Sequence, residues 1–191
     1  MGRRFICVSS PSEVPDATLL EGFRQGDSTA LDQLVERYQG PLLRFARGFV
    51  RDQGGAEDLV QETFVRLIRS APELGSEGVL GPWLYRVCRN LAYDTRKMET
   101  REMQRRERAQ EPEPAPTPVG ISEQQETCAI LRRELELLPE REREALRLKV
   151  DQGLSYIQIG EVLGVKPGTV GWLVHQAMNR LTERLRAAQA I

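Results

Sequence analysis

Between Glu111 and Pro118 the sequence reads EPEPAPTP, and no helix or central strand can pass through it. Each proline lacks a backbone N–H and fixes φ, so the run breaks any ladder and favours an extended, solvated backbone. The chain is thereby divided into two lengths of sequence that must each bury their own core. With 191 residues in all, each half has room for one small domain and no more.

What each half can become follows from its apolar spacing. On both sides of the proline run apolar residues recur at three and four rather than at two, and runs of β-branched residues are absent, so helices are expected throughout. Hydrophobic residues make up 40% of the chain and aromatic ones only 6%, which supplies a largely aliphatic core. The expected helices are about Asp16 to Gln25, Ser28 to Gln39, Pro41 to Arg51, Ala56 to Arg69, Pro82 to Arg108, Glu123 to Leu138, Glu140 to Asp151, Tyr156 to Leu163 and Pro167 to Ala188. Ser28 and Ser155 suit N-caps, and Pro41, Pro82 and Pro167 suit first turns. Gly26, Gly54, Gly153 and Gly164 suit helix ends. The fold class is all-α, with two helical domains joined by a flexible Pro-rich linker. The divisions are an N-terminal extension over 1–15, a first domain over 16–98, a linker over 99–121 and a second domain over 122–191.

Several functions are disfavoured. Cys7, Cys88 and Cys128 are far apart with no CxxC spacing, and His175 is the sole histidine, so neither a disulfide framework nor a metal site is expected. No cofactor is expected. The start, MGRRFICVSSPSE, is too short in apolar residues for a signal core or a span, which points to a cytoplasmic chain with free thiols.

Three segments carry chemistry. In AEDLVQETFVRLIR, Ala56 to Arg69, helical spacing gives a core stripe of Val60, Phe64, Leu67 and Ile68. Asp58, Gln61, Glu62 and Val65 share a second face at i, i+3, i+4 and i+7. Two carboxylates, an amide and a valine make a docking strip or an ordinary solvated face. Catalysis by the paired carboxylates is disfavoured, because one exposed helix offers nothing to desolvate them.

In GPWLYRVCRNLAYDTRKMETR, Gly81 to Arg101, the buried stripe is Leu84, Val87, Cys88, Leu91 and Thr95. The other face carries Arg86, Arg89, Asn90, Tyr93, Arg96 and Lys97. From Tyr85 to Arg108 there are eight basic and four acidic residues, a local excess of positive charge in a chain whose net charge is -1. Cations that neutralise phosphates, an aromatic that stacks and an amide that reads a base edge suit nucleic acid; a salt-bridged surface helix is the alternative.

In LSYIQIGEVLGVKPGTVGWLVHQAMNRLTERL, Leu154 to Leu185, a short capped helix, a Gly164-Val165 turn and a second helix from Pro167 have helix-turn-helix spacing. Ile157, Val162 and Leu163 would face Val170, Val174, Ala177, Leu181 and Leu185 in the core. Trp172, His175, Gln176 and Asn179 would face outward. Gln and Asn are competent base readers, but cations enter only at the flank, at Arg180 and Arg184. His175 reads as a surface or phosphate-facing residue rather than a ligand.

The order AEDLVQETFVRL, PWLYRVCRNLAYD, a linker, LPERERE, LSYIQIGEVLG and GTVGWLVHQAMNRL resembles the extracytoplasmic-function class of bacterial sigma factors along about Asp16 to Arg186. The resemblance implies a non-enzymatic transcription initiation factor with sigma two and sigma four domains, which binds core RNA polymerase and recognises promoter DNA. It further implies that Asp58, Gln61, Glu62 and Val65 dock on the polymerase clamp helices. Arg86, Arg89, Asn90, Tyr93, Arg96 and Lys97 fall in the part similar to the minus-ten reader, the loop Pro72 to Gly81 matches the one that captures a flipped base, and the linker matches the segment threaded toward the RNA exit channel. Lys166, Thr169, Trp172, His175, Gln176, Asn179 and Arg180 fall in the minus-thirty-five reader. An anti-sigma factor is the implied regulatory partner.

The chain departs from the family at one place. After Gly-Thr-Val, where a basic stretch such as Lys-Ser-Arg is usual, it has Gly171, Trp172 and Leu173, and Gln176, Met178 and Asn179 stand where arginines are usual. Either Trp172, Gln176 and Asn179 read an unusual element, with Lys166, Arg180 and Arg184 on phosphates, or the face holds a protein partner. The alternatives to a sigma factor are a sigma-fold interaction module and a stand-alone helix-turn-helix regulator.

Overall fold

The computed structural model describes residues 14–50, 52–74, 78–107, 130–131 and 133–189, with no side-chain description for 99–107 and 188–189. Among these residues every regular element is a helix: α1 (Asp16–Arg24), α2 (Ser28–Ala46), α3 (Gln53–Arg69), α4 (Gly81–Glu107), a helical stretch over residues 130–131 and 133–136 (α5), α6 (Glu140–Val150), α7 (Tyr156–Leu163) and α8 (Pro167–Gln189). The all-α expectation is met. The chain divides into two compact units, 1–93 and 94–191.

In the first unit α1 packs on α2 and α2 on α3. Two N-caps set the register. The Asp27 carboxylate accepts the Thr29 N–H at 2.9 Å to start α2, and Asp52 accepts the Gly55 N–H at 2.7 Å to start α3. Ser28 is therefore the first helical residue and not the cap, and Gly54 lies within the first turn of α3 rather than before it. Pro41 opens no new helix either: α2 is continuous from Ser28 to Ala46 with Pro41 inside it. The ring removes one backbone bond, but Leu34 before it and Leu42 after it are both fully buried, so packing on each side holds the halves in line.

The core of this unit comprises Leu19, Leu20, Leu34, Leu42, Phe45, Val60, Phe64, Leu67, Leu84 and Cys88, with Tyr85 edge-on to Phe45 at 5.2 Å between centroids. On α3 the buried stripe is Ala56, Leu59, Val60, Thr63, Phe64 and Leu67, while Ile68, expected inside, is 52% exposed. On α4 the expected Leu84, Cys88 and Leu91 are buried together with Tyr85 and Ala92, and Thr95 is exposed. Helix α4 continues to Glu107, past the boundary expected at residue 98; residues 1–13 of the expected extension and 108–121 of the expected linker lie outside the described residues.

In the second unit α6, α7 and α8 pack on one another. Ser155 begins α7 with a reciprocal cap: its hydroxyl accepts the Gln158 N–H, and the Gln158 side chain accepts the Ser155 N–H at 2.9 Å. Gly164 ends α7 at φ +67, the left-handed conformation that a side chain disfavours. Gly160 is required for a different reason. A Cβ there would stand 2.7 Å from the Val165 carbonyl oxygen, so the turn closes on this residue only because it has no side chain. Leu138, Ala145, Leu148, Ile159, Val162, Val170, Val174, Ala177 and Leu181 form the core, whereas Ile157, expected there, is 51% exposed. Only the part of the expected Glu123 to Leu138 helix from residue 130 onward lies among the described residues.

Candidate functional site

On α3 the face opposite the core holds Asp58 and Gln61, both exposed, and Glu62 and Val65, both half-buried. The helical period brings these four together as the spacing requires. Glu62 makes an exposed i,i+4 ion pair with Arg66 at 3.4 Å, a contact worth little on a surface and easily exchanged for another cation. Ile68 continues this face one turn beyond Val65, three residues on, and adds exposed apolar area beside the carboxylates. The spacing rule that assigned Ile68 to the core could have found it: 61, 65 and 68 share a side of a 3.6-residue helix.

On α4 Arg86 and Asn90 are exposed, and Arg89 and Tyr93 are half-buried. The Arg89 guanidinium carbon stands 4.6 Å from the Tyr93 ring centroid, and Phe49 meets the same ring edge-on at 6.0 Å. The cation lies over the aromatic face, so Arg89 and Tyr93 present one combined surface. Arg96 and Lys97, exposed further along the same helix, belong to the second unit, where Arg96 pairs with Glu140 at 2.5 Å.

The start of α4 is fixed by a residue that sequence reading missed. Asp16, 6% exposed, accepts from the Arg37 guanidinium at 2.5 Å, from the Tyr38 hydroxyl, and from the Leu80 backbone N–H at 2.7 Å. Burial above all, and then the adjoining Asp16 carboxylate, push the Tyr38 hydroxyl far above its ordinary pKa, so it remains a donor. No local signal marks Asp16, because its partners lie 21, 22 and 64 residues away.

On the helix-turn-helix, Lys166, Thr169, Trp172, His175 and Asn179 are exposed and Gln176 is half-buried. Trp172 is 57% exposed, and the exposed Tyr156 ring stands 3.5 Å from where a Gly171 Cβ would be. His175 Nε2 and Asn179 Nδ2 are 3.0 Å apart, which orders two polar groups of the outer face. The flanking cations are already engaged. Arg180 Nε lies 3.2 Å from the buried Glu142 carboxylate, and Arg184 reaches Glu134 at 3.4 Å. No ion pair involves Lys166 among the described residues.

Among the described residues no group of His, Cys, Asp and Glu could hold a metal ion, and no helix is long and apolar enough to cross a membrane.

Comparison with known proteins matches two stretches of the chain to two sequence families. Residues 34–102 match Sigma-70 region 2 and residues 128–181 match Sigma-70 region 4. The chain is 34% identical to the ECF RNA polymerase sigma factor SigE of Mycolicibacterium smegmatis, over 92% of this chain and 70% of that protein. It is 26% identical to the ECF RNA polymerase sigma-E factor of Escherichia coli K12, over 91% of this chain and 96% of that protein. Among solved structures, the sigma factor RpoE in complex with the anti-sigma factor NepR from Bartonella quintana aligns with a TM-score of 0.63 at 29% identity, over 81% of this chain and 96% of that one. Both regions are present in their usual order on one chain, which therefore belongs to the extracytoplasmic-function family of RNA polymerase sigma factors.

Proposed function

We propose that the protein binds core RNA polymerase through the α3 strip and directs it to promoters through α4 and the helix-turn-helix. The observation that carries this reading is the strip itself. Asp58, Gln61, Glu62 and Val65, extended by Ile68, form a mixed acidic and apolar surface that, among the described residues, is engaged only by the exposed Glu62–Arg66 pair. A stand-alone DNA-binding regulator has no use for such a surface. The polymerase clamp helices are its partner.

Minus-ten recognition is assigned to Arg86, Arg89, Asn90, Tyr93, Arg96 and Lys97, and minus-thirty-five recognition to Lys166, Thr169, Trp172, His175, Gln176, Asn179 and Arg180. Phosphate neutralisation by the cations supplies affinity, and Asn90, Gln176 and Asn179 supply base discrimination. Flipping a base out of the stack costs a few kcal/mol, to be offset by contacts of the segment before α4 and of the α4 face. Bond formation is left to the polymerase, and the sigma factor acts in the cytoplasm. An anti-sigma factor is its regulatory partner, as NepR is for RpoE in the aligned complex.

A second reading, a sigma-fold interaction module, draws support from the ion pairs that occupy Arg180 and Arg184 and from the exposed Trp172. Run-off transcription with purified core polymerase, this protein and fragments of its genome separates the two. Start sites that appear only on its addition and share upstream elements establish promoter direction. Intact polymerase binding with no new start sites favours the interaction module.

A further inference from the structure

Helix α1 has no part in the surfaces assigned above, yet it holds both ends of the segment joining α3 to α4. At its first residue Asp16 accepts the Leu80 N–H, one residue before α4 begins. At its last residue Arg24 donates from Nη2 to the Pro72 carbonyl at 2.7 Å, two residues after the α3 cap Ser70. Eight helical steps separate the two side chains along α1, a rigid span of about 12 Å.

The two ends are held differently. Asp16 is buried and shared among Arg37, Tyr38 and Leu80, so it also contributes to folding. Gly81 adds to the same junction: a Cβ there would meet the Tyr38 ring at 3.3 Å, so the absence of a side chain lets Tyr38 reach Asp16 close against the start of α4. Arg24 is exposed, and it binds a carbonyl that water could satisfy equally well. Its net contribution to stability is therefore small, and ordering a long side chain offsets part of it. Its consequence is geometric.

We propose that Asp16 and Arg24 are positioning residues for promoter recognition. Helix α1 acts as a ruler that sets where the α3–α4 connection leaves and where α4 starts, and so the placement of Arg86, Arg89 and Asn90 against DNA. This role rests on the assignment of the α4 face to the minus-ten element.

The test uses holoenzyme reconstituted with the full chain and a fork-junction DNA built from a promoter mapped by run-off transcription, titrated at several salt concentrations. Arg24→Ala weakens binding about fivefold, within the range for residues that act without touching the ligand, and leaves Tm and core-polymerase affinity unchanged. The slope of log affinity against log salt also stays unchanged, because no phosphate contact is removed. Arg24→Lys restores part of the loss. Asp16→Ala, assayed well below its lowered Tm, shows the same loss at the same slope. Arg89→Ala is the reference: it weakens binding and reduces the slope by about one. Wild-type binding by Arg24→Ala beside a weakened Arg89→Ala overturns the positioning role alone, as does a slope reduced by one for Arg24→Ala, which would make Arg24 a direct phosphate contact. Wild-type binding by Arg89→Ala overturns the minus-ten assignment instead.

Discussion

Glu142 on α6 is 5% exposed, and its Oε2 lies 3.2 Å from Nε of Arg180 on α8, without the alignment of a hydrogen bond. The pair ties the recognition helix to the helix beneath it and takes up the first cation on the flank of the outer face. Removing one partner of a fully buried pair costs about 3–5 kcal/mol, but the Arg180 side chain is 53% exposed and solvent screens it. Arg180→Ala should therefore lower stability by roughly 1–2 kcal/mol, read as a fall in Tm. Glu142→Gln keeps the volume and releases the guanidinium. It should raise holoenzyme affinity for duplex minus-thirty-five DNA and steepen the salt slope by about one. An unaltered slope would remove Arg180 from the phosphate contacts.

Charge reversal on α3 tests the polymerase surface. Asp58→Lys combined with Glu62→Lys should abolish binding to core polymerase, measured by fluorescence anisotropy, while thermal unfolding shifts little, since surface changes of this kind stay within about 0.5 kcal/mol. Ile68→Ala should weaken binding less, with Tm again unchanged. Retained binding by the double variant would exclude the strip from docking.

Two glycines of the helix-turn-helix should respond to alanine in opposite directions. At Gly160 a Cβ meets the Val165 carbonyl oxygen at 2.7 Å, backbone that cannot move without opening the turn, so Gly160→Ala should cost about 1–3 kcal/mol. At Gly171 the nearest atom is the Tyr156 ring at 3.5 Å, an ordinary contact, and the position is inside α8. Gly171→Ala should therefore add up to about 1 kcal/mol by helix propensity. Thermal melts of both variants check the pair, and an equal loss in both would mean that Tyr156 leaves no room for the methyl.

The helices were legible in the sequence because their signals are local. Ser155 and Gln158, Gly164 and the three-to-four spacing lie within a turn or two of what they specify, and α7 runs over Tyr156–Leu163 as expected. The exposed strip on α3 was readable for the same reason. Errors arose where burial depends on distant chain. Ile68, Thr95 and Ile157 have the right period for the core but sit at the edge of the stripe, and only the packed neighbours decide which side of the edge is dry. Pro41 reads locally as a break, yet Leu34 and Leu42 override it through packing. The long-range ties were invisible: Arg184 finds Glu134 across 50 positions and Asp16 finds Leu80 across 64.

Alkaline pH should destabilise the first unit through three buried groups. Burial pushes the Cys88 thiol up to about 12, against a hydrogen bond with Thr63 that lowers it. Burial likewise raises Tyr38 and Tyr85 well above their ordinary value of 10.0. Each group is neutral when protonated, so the native state keeps its proton at a pH where the unfolded chain, titrating near 9.0 for the thiol, has lost it. The native state then binds more protons than the unfolded one, and stability falls as pH rises. The stability is fully present below pH 9 and is lost progressively from there toward 12, with the tyrosines adding to the loss above pH 10. Urea midpoints should thus decline between pH 9 and 11, and less steeply in Cys88→Val than in the native chain. At pH 8 the same burial keeps Cys88 a thiol, so peptide-resolved alkylation should label it only after denaturation. Labelling of native Cys88 at the rate of a free thiol would mean that the core around Thr63 opens readily, and the decline in midpoint should then vanish with it.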